Sequence, residues 1–421
     1  MKAQDNFQVQ VSSEIGELEA IIVHTPGHEI ENMTPKNAER ALYSDILNIA
    51  VAQKEYCQFK GVIEKHARVF EMRDLLNDIL KVDEVKKKLI SEIFYYEKIN
   101  DNKNYFLSLS TKELTRQLIE GVVMKKDNLT RFFNKDRYSL RPLHNFFFMR
   151  DASMSVNNNV LIGKMASPVR DRETRIMEAI FDNHPQFSTK TINSDRFENA
   201  DPNISIEGGD VLVAREDILI VGTGIRTSSQ GVDFILEQVK ARKNVKHIIV
   251  QELPNSPESF IHLDMVFTFL DKNKCMVFEP VIMHPNKYRT VHIQIDNGKV
   301  HINTVPNLLV ILKQLGIDLE PVLCGGNSDL WIQEREQWHS GANFFALAPG
   351  KVIGYARNVY TMEEMNKHGF EIIRTKDVLN KKVDLSQYEK YVVTIDGSEL
   401  ARGGGGARCM SMPVRRKPIN W

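Results

Sequence analysis

The 421-residue sequence has few cysteines, no excess charge and no long apolar run. Its four cysteines, Cys57, Cys275, Cys324 and Cys409, are widely separated and form no CxxC pair, which argues against a zinc site or a disulfide framework. The 55 basic residues balance the 55 acidic ones, so no overall field favours nucleic acid or anionic lipid. No segment has the length and composition of a signal peptide or a membrane span. We therefore expect a soluble, cytoplasmic protein.

One of these cysteines follows an unusual run of glycines, in Gly403-Gly-Gly-Gly-Ala-Arg-Cys409. Glycines remove side-chain bulk from the approach to the thiol. Cys409 is therefore a candidate nucleophile, because thiolates attack electrophilic carbon readily and cysteine, unlike serine or lysine, is already partly ionised to its nucleophilic form at neutral pH. The alternative is an inert buried cysteine, since free cysteine usually packs as a small apolar side chain. Other polar groups near the thiol would favour the first interpretation.

Paired apolar runs recur along the chain, each pair separated by a short polar turn typical of β-hairpins. The pairs are residues 154–156 with 160–163, 211–213 with 218–221, 265–270 with 275–278, and 344–347 with 352–355. Helical stretches (172–181, 230–239, 362–367) and further extended segments (245–251, 322–324, 370–375) follow most pairs. The order is ββαβ, and a fifth copy would pair residues 410–414 with 18–24. The predicted fold class is α/β, a five-repeat ββαβ pseudo-symmetric propeller closed by that pairing.

A charge-rich segment with helical periodicity does not follow the repeat. Apolar residues from Leu75 to Phe94 form one stripe, and Ser110-Thr-Lys-Glu113 is typical of a capping box at the start of a further helix. We predict a single catalytic domain, residues 1–421, with a helical insertion at residues 74–140. The insertion is expected to cover the fold and to carry no chemistry.

A polar cluster precedes the first hairpin strand of successive repeats. If the repeats surround an axis, equivalent positions meet in one pocket. Each cluster alone has a plainer explanation: a surface salt bridge, a turn, or a half-exposed strand whose side chains alternate with period two. Their occurrence at equivalent points favours a shared site. The clusters are Asn145 with Arg150-Asp151, Glu207-Gly-Gly-Asp210, His262-Leu-Asp264, Glu334-Arg-Glu-Gln-Trp338, and Arg408-Cys409.

A cysteine surrounded by carboxylates suits a cationic electrophile. Guanidinium is planar, permanently charged and rich in donors, so carboxylates can hold it in bidentate fashion. Attack by a thiolate at its central carbon, with a histidine protonating the departing ammonia, would be covalent catalysis with acid–base assistance.

The sequence resembles the arginine deiminase family over nearly its whole length, through motifs that are weak singly but specific in their order and spacing. The resemblance implies a five-repeat ββαβ propeller with a helical insertion, and hydrolysis of L-arginine to L-citrulline and ammonia with no metal or organic cofactor. The motifs are Ile15-Gly-Glu-Leu-Glu19, Val23-His-Thr-Pro-Gly27, Phe148-Met-Arg-Asp151, Glu207-Gly-Gly-Asp-Val-Leu-Val213, His262-Leu-Asp264, Arg335-Glu-Gln-Trp338 and Arg408-Cys-Met-Ser-Met-Pro413.

The resemblance also implies roles for the reacting groups. Cys409 would form a covalent thiouronium intermediate, and His262 would protonate the departing ammonia and then activate water. Glu207 would support the charged groups of the site, while Asp151 and Asp264 would hold the guanidinium nitrogens. We expect these carboxylates to raise the pKa of the thiol, so that the thiolate forms mainly when the cationic substrate or protonated His262 supplies positive charge.

At the other end of the substrate, the resemblance implies that Asn145, Arg170 and Arg226 bind the α-carboxylate and amino group of arginine. The sequence departs from many relatives at Ala152, where they have proline, and at Gly404, where some carry a bulky or basic residue. Four successive glycines predict a mobile gate over the thiol.

Several alternatives stay open. One is another guanidine-modifying enzyme, acting on agmatine or methylated arginine, transferring an amidino group, or working as an arginine dihydrolase; Arg170 and Arg226 count against agmatine. A silent arginine-binding protein would be expected to lack Cys409, His262 or Glu207. Nucleic-acid binding is disfavoured because no basic patch with interleaved aromatics occurs. The expected partner is L-arginine, with no nucleic acid or membrane, and a homo-oligomer is left open.

Overall fold

Strands and helices alternate along the chain in a mixed α/β fold. The computed structural model describes residues 7–34, 43, 45–99, 103–242, 244–327 and 329–421. Residues 100–102 of the predicted insertion lie outside these ranges. No helix in the described ranges combines the length and apolar composition needed to cross a bilayer.

Five sheets in the described part of the chain share one pairing pattern. In each, an antiparallel pair of strands is extended by a third strand parallel to the second strand of the pair. The four predicted hairpins are confirmed, and so is the pairing between the two ends of the chain. The strands are Ser153–Val156, Asn159–Ile162 and Lys190–Ile192; Val211–Arg215, Ile218–Thr223 and His247–Glu252; Phe267–Asp271, Lys274–Val277 and Glu320–Leu323; Phe345–Ala348, Lys351–Tyr355 and Tyr391–Ile395; and Met412–Arg416, Leu18–Val23 and Arg68–Glu71.

The third strand of the fourth sheet differs from the prediction, which placed it at residues 370–375. The strand Glu371–Arg374 lies at the sheet edge, and Tyr391–Ile395 lies between it and Lys351–Tyr355. All five residues of Tyr391–Ile395 are buried, whereas Glu371 and Arg374 are exposed. A continuous apolar strand is suited to a position covered on both faces, and a partly polar strand to an edge.

A long hairpin that the sequence analysis did not predict extends the second sheet. Its strands are Thr290–Asp296 and Lys299–Val305, and the first of them pairs antiparallel with His247–Glu252. Asn297 and Gly298, at the turn, both have positive φ, 48° and 81°. Two residues in this conformation match the twist of the adjoining strands, and Asn-Gly is a favoured sequence for it.

Helices cover the sheets between the second and third strands, at Asp171–Asn183, Ser229–Arg242, Val359–Lys367 and Ile49–Ile63. The first three are longer versions of predicted helices. Elsewhere in the described residues, the α-helices outside the insertion are His28–Glu31, Glu279–Ile282, Leu308–Gln314, Leu330–Trp338 and Thr375–Leu379. Short strands pair Phe7–Gln8 with Phe187–Ser188.

The charge-rich segment is helical, as predicted. Its apolar stripe is buried in one cluster with Ile176, Met177 and Ile180 of the Asp171–Asn183 helix, so it covers the first repeat. The Ser110 hydroxyl accepts a hydrogen bond from the backbone of Glu113, which confirms the predicted helix start. The elements are helices Met72–Ile79, Asp83–Tyr96, Lys103–Ser108, Thr111–Glu120 and Leu129–Phe133 and strands Val122–Val123 and Tyr138–Leu140.

Candidate active site

A cavity of about 320 Å³ lies among the loops that precede the first strands of the repeats. Its lining includes six of the eight predicted site residues: Asn145, Asp151, Arg170, Arg226, His262 and Cys409. The other two, Glu207 and Asp264, are fully buried behind His262 and Cys409. The rest of the wall is largely apolar, formed by Phe148, Ile225, Ile261, Met265, Trp338 and Ala401.

Asp151 and His262 are positioned by loops that pack tightly against each other. Glycines at the contact points allow this close approach. A Cβ on Gly208 would lie 2.0 Å from the Arg150 carbonyl oxygen, and one on Gly209 would lie 2.5 Å from the His262 ring. The backbone N–H of Gly209 donates to Asp151 Oδ1 at 3.2 Å. The segment that follows Glu207 is therefore both a turn and a part of the site, since the turn allows three loops to meet.

His262 is bonded to one carboxylate and close to another. Its Nε2 lies 2.9 Å from Glu207 Oε2, and its Nδ1 lies 3.8 Å from Asp151 Oδ1. Burial lowers the pKa of His262, but the Asp151 charge and the hydrogen bond to Glu207 outweigh it and raise this pKa to about 9. Burial tends to raise the pKa of Glu207, but the hydrogen bond to His262 and the nearby Arg226 charge hold this pKa below its usual range. At neutral pH the pair is therefore an imidazolium beside a carboxylate.

Arg170 is engaged by protein groups in this conformation. Its Nη1 donates to Asp151 Oδ2 at 2.7 Å, its Nη2 to Glu173 Oε2 at 2.8 Å, and its Nε to both Glu173 oxygens. Burial raises the pKa of Glu173 to about 7 despite this ion pair. Arg226 is held more loosely, with Nη1 3.6 Å from Glu207 Oε1. Of the two predicted carboxylate ligands, Arg226 thus has the weaker competing partner.

Cys409 lies on another wall, between a carboxylate and an amide. Its Sγ is 3.7 Å from Asp264 Oδ2 and 3.2 Å from Asn343 Nδ2. Burial, followed by the charges of Asp264 and Asp151, raises the pKa of the thiol well above its ordinary value. The free protein therefore holds Cys409 as a neutral thiol at pH 7, in agreement with the expectation from its acidic neighbours.

Arg408, a buried arginine, contacts Asp264 on the side away from the cavity. The sequence motif had indicated only that Arg408 lies near the pocket. Arg408 Nη1 donates to Asp264 Oδ2 at 2.8 Å, and its Nε donates to Glu14 Oε2 at 3.0 Å. Burial tends to raise the pKa of Glu14, but Arg408 and Arg150 lower it to about 2. These ion pairs fix the orientation of Asp264 beside the thiol.

Comparison with known proteins places the chain in a family. The family model described as arginine deiminase matches residues 39–416. An arginine deiminase of Bacillus cytotoxicus is 32% identical, the alignment covering 98% of this chain and 99% of the relative. One of Oenococcus oeni is 32% identical, with 98% of both chains covered. The chain belongs to the arginine deiminase family. The resemblance inferred from the motifs is confirmed.

Structural similarity extends to more distant proteins. The product-bound N-terminal domain of ArgZ, an arginine dihydrolase from the ornithine–ammonia cycle in cyanobacteria, matches with a TM-score of 0.53 at 14% identity. The match covers 94% of this chain and 97% of that domain. At this identity the comparison shows a shared mixed α/β fold.

In this member of the arginine deiminase family, the glycine run lies over the cavity. Gly403, Gly404 and Gly405 line it, and Gly404 adopts a left-handed conformation with φ of 84°. A Cβ on Gly405 would lie 2.5 Å from the Phe148 ring. The Tyr355 hydroxyl donates to the Gly405 carbonyl at 3.0 Å. The run is thus in close contact with the cavity wall in this structure, and its opening stays a prediction.

One predicted cluster contributes less than expected, and one residue was missed. Of residues 334–338, only Trp338 reaches the cavity; Glu336 instead accepts backbone hydrogen bonds from Tyr360 and Thr361 at the start of the next helix. The contribution of this repeat to the site is Asn343, just before the strand Phe345–Ala348. That position, next to the first hairpin strand, is the same signal that identified the other clusters.

Three side chains have the spacing of a metal site. Ligand atoms of Asp151, Glu207 and His262 lie within 4.8 Å of one another. Both carboxylates already have cationic partners, because Glu207 is bonded to His262 and Asp151 to Arg170. A metal ion bound here would have to displace these partners.

Proposed function

We propose that this protein hydrolyses L-arginine to L-citrulline and ammonia through a covalent intermediate on Cys409. The observation that carries the proposal is one cavity with a thiol, a cationic histidine and carboxylates, in a chain that matches arginine deiminases over 98% of its length. Carboxylates suit the guanidinium end of arginine, and arginine side chains suit its carboxylate end. The apolar wall formed by Phe148, Ile225 and Trp338 suits its methylene chain.

In the first step, Asp151 and Asp264 hold the guanidinium, whose charge favours ionisation of Cys409; the thiol proton passes to solvent and is regained by the thiolate after citrulline leaves. The sulfur bonds to the central carbon, the bond from that carbon to a terminal nitrogen breaks, and His262 gives its proton to the departing ammonia. The product of this step is a thiouronium cation. Glu207 supports the step because it keeps His262 protonated until the proton is needed.

In the second step, neutral His262 takes a proton from water, and the water oxygen bonds to the same carbon. The carbon–sulfur bond then breaks to give citrulline and the Cys409 thiolate. Of the two protons released, one returns to His262 and the other leaves with ammonia as ammonium. Arg226 and Asn145 bind the carboxylate and amino end, and Arg170 contributes there while it also holds Asp151.

The finer architecture is also part of the proposal. We place the five sheets around one axis as a ββαβ propeller, with residues 74–140 inserted into a single domain and the protein in the cytoplasm. Support for the propeller comes from the shared pairing pattern and from the residues placed just before the first strands. These are Asp151, Asp210, Asp264, Asn343 and Cys409.

Product analysis tests the proposed reaction. Purified protein is incubated with L-arginine, and citrulline, ornithine, urea and ammonia are assayed together, with agmatine as a parallel substrate. We expect citrulline and ammonia in equal amounts, and little reaction with agmatine because Arg226 has no carboxylate to bind. Ornithine with additional ammonia would indicate a dihydrolase instead, and no turnover of arginine would reject the proposal.

A further inference from the structure

We propose that Asn343 is a further catalytic residue, whose side-chain amide donates a hydrogen bond to the Cys409 sulfur and stabilises the thiolate. This inference deepens the proposed function and rests on it. Asn343 touches the reacting atom directly, with Nδ2 3.2 Å from Sγ. It lies on a different repeat from the other groups around the thiol, 66 residues from Cys409 in sequence.

The hydrogen bonds of Asn343 determine which way its amide points. Its Oδ1 accepts from the backbone N–H of Arg408 at 2.8 Å and of Cys409 at 3.3 Å. Its Nδ2 also donates to the Asp264 carbonyl at 3.0 Å. If the amide were flipped, its NH₂ group would face two N–H donors and its oxygen would face a carbonyl. The N–H donor must therefore face the sulfur.

Packing holds the side chain in this position. Asn343 is 1% exposed, and its backbone N–H donates to the Ser340 carbonyl at 3.1 Å. A Cβ on Gly406 would lie 2.6 Å from Asn343 Cβ, so the fourth glycine of the run allows the loop to approach. A donor fixed before the reaction costs no reorganisation when charge develops.

The amide favours the ionised sulfur over the neutral thiol. Asp264 can accept a hydrogen bond from the thiol but repels the thiolate, and the Arg408 guanidinium donates to Asp264, Glu14 and the Val211 carbonyl. Among the side-chain hydrogen bonds of the described residues, the one donated to Sγ comes from Asn343, and the backbone of Gly406 also bonds to the sulfur. Bonds to a charged acceptor are stronger than bonds to a neutral one. The amide therefore assists both the attack of the thiolate and its departure from the intermediate.

The test compares Asn343→Asp with Asn358→Asp. Asn343→Asp can keep an oxygen acceptor for the two backbone N–H groups and loses the donor to sulfur. Asn358 is a matched control, since it is 2% exposed and donates to the His339 carbonyl at 3.1 Å. For each variant we would measure kcat with arginine, the pH midpoint of Cys409 alkylation by iodoacetamide, and the unfolding midpoint by circular dichroism.

We expect Asn343→Asp to lower kcat about 100-fold, the usual effect of removing one fixed donor, and to raise the alkylation midpoint by at least about one pH unit. Asn358→Asp should leave both near wild type. An Asn343→Asp protein that folds with an unchanged alkylation midpoint would overturn the proposal. Because Asn343→Asp also adds a carboxylate that repels the thiolate, Asn343→Ala, which removes the donor without adding charge, must raise the midpoint as well, and it replaces Asn343→Asp if that variant does not fold. If the wild type does not turn over arginine, the proposed reaction fails, but the alkylation midpoints still decide the role of Asn343.

Discussion

Two walls of the cavity are built from similar parts. The histidine wall comprises His262, Glu207, Asp151, Arg170 and Arg226. The cysteine wall comprises Cys409, Asp264, Asn343, Arg408 and Glu14. Each has a carboxylate held by a buried arginine, with Arg170 2.7 Å from Asp151 and Arg408 2.8 Å from Asp264. The two walls differ in what contacts the group that reacts.

Both reacting groups have a raised pKa, but the consequence is opposite. Carboxylates near His262 raise its pKa to about 9, which leaves the imidazole charged at neutral pH. Burial and carboxylates near Cys409 raise its pKa as well, which leaves the thiol neutral. The free site therefore has its acid ready and its nucleophile protonated. A cationic substrate between the walls supplies the charge that the cysteine wall lacks, so binding and activation are coupled.

Replacing the nucleophile should have the largest effect. We expect Cys409→Ser to lower arginine turnover by more than about 10⁴-fold, since a serine hydroxyl has a much higher pKa than a thiol and ionises far less readily. The unfolding midpoint should change little. Cys57→Ser, at an exposed cysteine, serves as the control. Turnover near the wild-type rate would contradict the covalent mechanism.

Replacing the acid of the histidine wall should come next. We expect His262→Asn to lower kcat by about 10²- to 10⁴-fold, the usual contribution of a positioned acid or base.

The folded pKa of His262, about 9, exceeds the ordinary value of 6.5, so the stability that protonated His262 contributes is fully present below pH 6.5 and is lost as pH rises through about 9. Unfolding midpoints from pH 6 to 10 should fall more steeply in the wild type than in the variant. If the unfolding midpoints of the two proteins fell equally steeply with pH, His262 would not be charged in the folded protein at neutral pH.

A smaller effect is expected where the histidine wall meets the substrate carboxylate. Arg226→Ala should raise KM for arginine about 10- to 100-fold, in line with the loss of a charge-assisted hydrogen bond. Any effect through Glu207, 3.6 Å away, should fall on every substrate alike. The useful quantity is therefore the ratio of kcat/KM for arginine to kcat/KM for agmatine, with Arg226→Lys as a charge-conserving control. An unchanged ratio would argue against carboxylate binding by Arg226.

Local signals in the sequence were sufficient for much of the fold. Polar turns between apolar runs located the four hairpins, because turn residues and strand alternation act over a few residues. The hairpin at Thr290–Asp296 and Lys299–Val305 carried an Asn297-Gly298 turn and could have been predicted. The order of strands in the fourth sheet could not, since it depends on which segment packing covers on both faces.

In the site, too, some residues could be predicted from local sequence and others depend on contacts between distant segments. Residues just before the first strands lie together, so the clusters of Asp151, His262 and Cys409 were found from position alone. Glu336 belonged to a segment as polar as the other clusters, but it lies on a helix and accepts a backbone hydrogen bond at the start of the next helix. Asn343, by contrast, lies directly before the strand Phe345–Ala348. Glu14 had no local signal, because its ion pair with Arg408 spans 394 residues.

The smallest effect concerns the charge state of the free cysteine wall. At pH 7 we expect iodoacetamide to alkylate Cys409 at least about tenfold more slowly than the exposed Cys57, followed by peptide mass spectrometry. Restricted access would slow the reaction at every pH, whereas a raised pKa makes the rate climb with pH beyond the usual thiol range. Asp264→Asn should move the midpoint of that climb down, because it removes the largest like charge beside the sulfur. A wild-type midpoint below pH 7 would show that the free enzyme already holds a thiolate, and the coupling of binding to activation would then fail.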